Sequence, residues 1–294
     1  MATYTLQGGV NIDALQVGSI LGMNIDEATA LRLALSLGVE RVVLSGEGFT
    51  YDANQQITGG TITGLNWTMA GGRSVELAGA SLPVPQMLQW FFTNNTQAAL
   101  GAALSGDDQG IGSSGSDVLR GFAGADTLSG GAAFDDLNGN TGDDLVMGGD
   151  GDDWVLGGKD NDRLFGENGG DFVHGNLGLD TLTGGQGGDT MRGGQGDDRL
   201  DGGDGDDWLS GDRGSDVVVG GTGADVFHAS GDAGLDTVTD FNALEGDRVQ
   251  IDGGAQYAAS QQGADIWIDI SGGARLVLQN VQLATLPQSW IFTL

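Results

Sequence analysis

Thirteen nonapeptides follow one another without a slip from Gly112 to His228, each with glycine first, aspartate sixth and an apolar residue eighth. Blocks such as GFAGADTLS, GGDGDDWVL and GGTGADVFH show the pattern. A nine-residue period with one apolar position suits a short strand that turns one side chain inward, followed by a tight turn. Two blocks then make one coil of a parallel β-roll, and coils stack at strand spacing, about 4.8 Å. Glycine fills position four in all but two blocks, which carry Ala133 and Asp160. Position two is mostly Gly, Asn or Asp, the residues that most readily adopt a left-handed backbone. Strict phase is what separates this tract from a disordered Gly-rich linker.

The sixth position is Asp117, Asp126, Asp135, Asp144, Asp153, Asp162, Asp171, Asp180, Asp189, Asp198, Asp207, Asp216 and Asp225, with Asp108 in phase in a degenerate block ahead of them. Stacking brings the aspartate of one block close to that of the block two later, and such carboxylates repel unless a cation lies between them. The chain has 41 acidic and 11 basic residues, a formal charge of −30, which disfavours nucleic acid as a partner. With no cysteine and two histidines, the ligands are oxygen only, and a flexible set of oxygens favours Ca²⁺ over Mg²⁺. Pairing each block with the one two later gives 13 − 2 = 11 calcium sites at most.

Three segments are expected. Residues 1–105 read as a small α+β domain, with a helix over Asp26–Gly38, strands near 39–46, 48–52, 59–69 and 73–79, and further helices in QMLQWFFT and TQAALGAAL. Residues 106–241 are the roll. Residues 242–294 alternate like antiparallel strands in ADIWIDI and ARLVLQNVQL and read as a closing β cap. The fold class is therefore mainly β. No run of about 18 apolar residues suggests a transmembrane segment, and the amino terminus does not read as a cleaved secretory signal.

These blocks resemble the RTX (repeats-in-toxin, hemolysin-type) calcium-binding proteins of Gram-negative bacteria, over about residues 106–294. The resemblance implies type I secretion through a carboxy-terminal signal, an extracellular or cell-surface location and folding on calcium after export. It also implies a role for Asp236 and Asp240, in GLDTVTDF, in capping the last coil and ligating its calcium. VVLSGEGFTYDANQQITGGTITGL (Val42–Leu65) is similar to segments ahead of such arrays in biofilm-associated adhesins.

Catalysis finds little support. Neither His174 nor His228 begins an HExxH motif, no serine sits in GxSxG, and both histidines occupy position nine, where an exposed strand residue is expected. Positions seven and nine flank the inward residue and point outward. Odd-numbered blocks share a sheet whose seventh residues are Val118, Asp136, Trp154, Phe172, Thr190, Trp208 and Val226, with Leu156 beside Trp154; the even face is mostly polar. Such an apolar face is either covered by a flanking segment or serves as an interface. The sequence thus reads as a secreted, calcium-dependent structural or adhesive surface protein. Self-association as a homo-oligomer or a matrix partner would engage the odd face. The alternatives are an extracellular polysaccharide-binding or accessory module, or an enzyme with a site in residues 1–105.

Overall fold

A computed structural model describes residues 3–7, 32–37, 40–51, 57–68, 74–83, 105–231 and 234–293; of the first five segments only the backbone course is described. Blocks of the array go alternately to two parallel sheets. One holds β7 (Val118–Arg120), β9 (Asp136–Thr141), β11 (Trp154–Lys159), β13 (Phe172–Leu177), β15 (Thr190–Gln195), β17 (Trp208–Arg213) and β19 (Val226–Ala229). The other holds β6 (Gln109–Ile111), β8 (Thr127–Ala132), β10 (Leu145–Asp150), β12 (Arg163–Asn168), β14 (Thr181–Gln186), β16 (Arg199–Asp204) and β18 (Val217–Thr222). Partners differ by eighteen residues throughout, as in Val155↔Val173 and Leu164↔Leu182. That offset is two nonapeptides, so each apolar eighth residue lies on the one two blocks later.

The core is the column of eighth residues. Leu119, Leu128, Leu137, Val146, Val155, Leu164, Val173, Leu182, Met191, Leu200, Leu209, Val218 and Phe227 are all buried. Fully burying a side chain of this size contributes roughly 1.5–3 kcal/mol, and one such residue per nine is sparse, so the turns between strands must also be favourable. Their geometry explains the glycines. A Cβ added at Gly148 would stand 2.6 Å from Asp153 Oδ2 and 2.7 Å from the Gly166 carbonyl oxygen, inside contact distance. The two position-four departures take a left-handed backbone regardless, Ala133 at φ 70° and Asp160 at φ 76°. So do five non-glycine second positions, Phe122, Asn140, Glu167, Asn176 and Asp212. Asn and Asp tolerate this conformation; Phe122, Ala133 and Glu167 are held in it by the coils on either side.

Beyond the array the coils continue with longer offsets. β20 (Leu235–Val238) pairs with β18 at twenty residues, and β21 (Arg248–Ile251) pairs with β19 at twenty-two. Val238 and Val249 extend the buried column. β22 (Tyr257–Gln262), β23 (Asp265–Ile270) and β24 (Arg275–Leu278) form an antiparallel meander joined to β20, and β25 (Ile291–Thr293) lies parallel to β21. Phe227, Phe241 and Trp290 close the core's end with ring centroids 5.9 and 6.3 Å apart.

At the other end, β1 (Thr3–Gln7), β2 (Arg32–Leu37), β3 (Glu40–Tyr51), β4 (Ile57–Thr68) and β5 (Ser74–Pro83) form antiparallel pairs, and β1 also runs parallel to β6. Residues 32–37, expected within a helix over 26–38, are instead a strand paired with β3 from Arg32↔Ser45 to Leu37↔Glu40. RLALSL fits both periods, since Leu33, Leu35 and Leu37 also alternate, and long-range pairing decides between them. The two expected strands around 39–52 are one strand with register shifts near Gly46 and Thr50. The rest of the expected helix, and those in QMLQWFFT and TQAALGAAL, lie outside the described residues. No helix among the described residues is long and apolar enough to cross a membrane.

Candidate metal centre

Each turn ends on its aspartate, and the aspartates form two columns, one per edge of the roll. The even column runs Asp108, Asp126, Asp144, Asp162, Asp180, Asp198 and Asp216; the odd column runs Asp117, Asp135, Asp153, Asp171, Asp189, Asp207 and Asp225. Every one of these side chains is buried. Within a column the backbone N–H of each aspartate donates to Oδ1 of the aspartate eighteen residues later, at 2.7–3.0 Å. The aspartate carbonyl accepts the N–H of the following coil, as in Arg163 N to Asp144 O at 2.8 Å. Three of the four polar atoms are thereby satisfied.

The fourth is not. Oδ2 has no hydrogen-bond partner in Asp126, Asp135, Asp144, Asp153, Asp162, Asp171, Asp180, Asp189, Asp198, Asp207, Asp216 and Asp225, although it is buried in each. In Asp117 it accepts the Ser113 N–H at 2.6 Å. A buried acceptor without a partner costs about 1–3 kcal/mol, and more when charged. Such acceptors, in register along both columns, fit a cation as their common partner.

The carboxyl pKa values report the same deficit. Burial, partly offset by the backbone N–H and reinforced at most positions by neighbouring carboxylates, pushes Asp126, Asp135, Asp153, Asp198 and Asp225 up to about 7. Asp144, Asp171, Asp180, Asp189 and Asp207 rise to about 6, and Asp162 to about 8. A cation beside Oδ2 would reverse this by stabilising the ionised form.

The donors fit a hard cation. Oδ2 of Asp126, Asp135, Asp153, Asp171, Asp180, Asp189, Asp198 and Asp207 shares the space beside a Cβ-less Gly with a glycine carbonyl from the next coil, as at Gly148. Among the described residues no three Asp, Glu or His groups converge on one point, so main-chain carbonyls must complete the ligand shell. Carboxylate plus carbonyl oxygen is the donor set of Ca²⁺.

Of the two aspartates expected to cap the array, Asp236 extends the even column, accepting the Asp216 N–H at 3.2 Å, and burial with the nearby Asp216 charge lifts its pKa to about 8. Asp240 stands outside the columns and accepts the Gly220 and Gly221 N–H groups at 3.0 and 2.8 Å. One residue escaped the sequence reading. Buried Asp247 ends the odd column, with Oδ1 accepting the Asp225 N–H at 3.1 Å and Oδ2 the Asn242 N–H at 2.7 Å. Its signal was present: Asp247-Arg248-Val249 repeats the aspartate, any residue, apolar order of the array, hidden by the changed spacing. The doubled aspartates of the blocks also find a use. Asp107, Asp152, Asp197 and Asp206, at position five, accept N–H groups eighteen residues on, forming an outer, exposed ladder.

Neither histidine is a freely exposed strand residue. His174 packs edge-on to Phe172, and His228 stacks on Trp208 at 5.0 Å. His228 bridges Ser210 Oγ (3.1 Å from Nδ1) and Asp252 Oδ1 (3.0 Å from Nε2), a serine, histidine and aspartate in line. It is not a hydrolytic triad: Ser210 is buried, and its hydroxyl proton goes to Asp212 Oδ1 at 2.8 Å. A nucleophile needs an approachable oxygen and a base free to take its proton.

The model of the RTX calcium-binding nonapeptide repeat matches in overlapping stretches from residue 103 to residue 238. Among solved structures the chain is similar to the AlgE6R3 and AlgE6R2 subunits of the Azotobacter vinelandii mannuronan C5-epimerase. Identity is 22% to both, covering 46% of this chain and 78% of the first, 47% of this chain and 91% of the second, with TM-scores of 0.31 and 0.30. It is also similar to the extracellular lipase LipA of Serratia marcescens, at 20% identity over 64% of this chain and 40% of that one, with a TM-score of 0.26. No curated protein matches the chain.

Proposed function

Since residues 103–238 belong to the RTX calcium-binding nonapeptide repeat family, we propose that this chain is a secreted adhesive scaffold, exported unfolded by type I machinery and folded by calcium outside the cell. The observation that carries the reading is the register of orphaned Oδ2 atoms along the two columns. Asp108 to Asp225 at position six, with Asp236, supply the carboxylate ligands, up to about eleven ions fill the turns, and glycine carbonyls complete each shell. Asp240 and Asp247 tie the last coils to the cap. Residues 1–105, 106–241 and 242–294 act as an attachment segment, the roll and the closing cap.

Calcium concentration makes the roll a switch. For a site with Kd near 10⁻⁴ M, about 1 mM calcium contributes ~1.4 kcal/mol, and submicromolar calcium contributes almost nothing. Summed over several sites, this spans the whole stability of an ordinary domain. The chain's −30 charge opposes folding until cations arrive.

Adhesion is assigned to the odd sheet. Phe134, Trp154 and Phe172 form a ladder with centroids 6.0 and 6.5 Å apart, and Trp154 remains 53% exposed. In this reading the roll supports and times the display of that face and carries no catalysis. Far-UV circular dichroism and analytical ultracentrifugation of the full chain test it. Millimolar calcium should convert a coil-like, expanded chain into a compact β form, and identical spectra and sedimentation with and without calcium would overturn the reading.

A further inference from the structure

The odd face is more than an apolar patch, because the aromatic ladder leads directly into a polar trough. Phe134, Trp154, Phe172 and His174 contact one another in sequence, the last pair at 6.1 Å. His174 is also the first wall of a trough of about 560 Å³ that extends past Arg192, Asp212 and His228 to Asp252. Trp208 forms part of the surround, stacked on His228 with Nε1 donating to Gln250 Oε1 at 3.2 Å.

The polar groups of the trough are held in place by one another. Arg192 pairs with Asp212 through Nε and a terminal nitrogen at 2.8 and 2.9 Å. Asp212 also takes the Ser210 proton, and His228 is fixed between Ser210 and Asp252. The lane is therefore preorganised, and planar donors and acceptors alternate along it with the amides of Asn176 and Gln195. Its formal charge is balanced, two arginines (Arg192, Arg213) against two aspartates (Asp212, Asp252).

A pyranose has an apolar C–H face that stacks on an aromatic ring and a rim of hydroxyls that both donate and accept. An apolar peptide would leave the trough's polar groups unpaired, and a nucleic acid or uronate polymer would be repelled by the strongly acidic chain. Successive strands present their side chains about 4.8 Å apart, close to the length of one extended pyranose unit. A sugar chain laid across the strands can thus repeat in step with the rungs.

We propose that the odd face binds an extended neutral polysaccharide, stacked on Trp154, flanked by Phe134 and Phe172, whose rings stand at 75° and 65° to it, and hydrogen-bonded in the trough from His174 to Asp252. This rests on the adhesive reading above and names its ligand. Trp154 and Gln195 are exposed members of the lane on which affinity depends, and neither belongs to the calcium columns.

The test uses the full chain in calcium on an array of neutral oligosaccharides (β- and α-linked glucans, mannans, galactans and N-acetylglucosamine oligomers) with oligouronates as the acidic comparison. Circular dichroism and sedimentation are run on the same samples. The expected result is retention on a neutral class, weakened about ten-fold by Trp154→Ala and by Gln195→Ala, with unchanged calcium-induced folding and a monomeric mass. Retention on uronates alone, no retention by a folded roll, or affinity indifferent to both substitutions would overturn the proposal. A calcium-dependent oligomer broken by Trp154→Ala would overturn it in favour of a second copy as the occupant. A chain that calcium does not fold would instead refute the scaffold reading beneath it.

Discussion

Removing calcium should make folding of the roll depend on acid. Twelve buried aspartates have pKa values displaced from the ordinary 3.8 to between about 6 and about 8, Asp236 included. A metal-free folded chain therefore holds protons that the unfolded chain releases above about pH 4. Its stability is full below that pH and falls as pH rises from about 4 to each group's folded-state value, between about 6 and about 8. Each displaced group opposes folding by about 1.4 kcal/mol per pH unit across that window. Counting only four of the twelve as fully effective, to allow for screening and shared charge, still gives about 5 kcal/mol per pH unit, against a typical total of 5–15 kcal/mol. In chelator, the full chain should show β-type circular dichroism near pH 4.5 and a coil-like spectrum at pH 8. Adding about 5 mM calcium at pH 8 should restore the β form, with proton release if added near pH 6. A chelated chain equally folded at both pH values, or more folded at pH 8, would refute the assignment of the orphaned Oδ2 atoms as the cause.

Asp171→Asn keeps an oxygen for the Asp153 N–H while removing charge, so it should stabilise the chelated chain at pH 8 by about 1 kcal/mol. The same substitution should weaken calcium binding, losing up to ~2.7 kcal/mol per site where calcium stands at a hundred times Kd; isothermal titration and chemical denaturation measure the opposite signs. Leu164→Ala opens a cavity in mid-column and should cost 2–5 kcal/mol, read as a higher calcium concentration at the folding midpoint. Asp247→Ala leaves the Asp225 and Asn242 N–H groups without their partner and should cost about 2 kcal/mol in calcium, with hydrogen exchange rising first around β19 and β21. Ala133→Gly relieves a left-handed alanine and should stabilise by about 0.5–1 kcal/mol in thermal melts.

The roll was legible because its code is local and repeated: the phase of Gly, Asp and the apolar eighth residue assigns every inward side chain, both sheets and both aspartate columns. Two things were not legible. RLALSL carries helix and strand periods at once, and only its pairing with β3 resolves them. Asp247 carries the right neighbours at the wrong distance, because the coils ending the array lengthen from eighteen to twenty and twenty-two residues. The trough was hidden for a related reason. Its walls come from position nine of odd blocks, from positions two and three of the even blocks that follow them and from Ser230 and Asp252 beyond the array, and no single block signals their meeting.

The two-block coil sets a rule of parity for how such a chain can change in length. Gaining or losing eighteen residues within the array returns every downstream strand to its own sheet and only lengthens or shortens the aromatic lane. Gaining or losing nine preserves the consensus of every block yet exchanges the sheets from that point on, so Trp154 and Phe172 would part from Trp208 and His228 onto opposite sides of the roll. Sequence variation that is invisible to the calcium sites can thus erase the binding face, and the array can be inherited intact only in pairs.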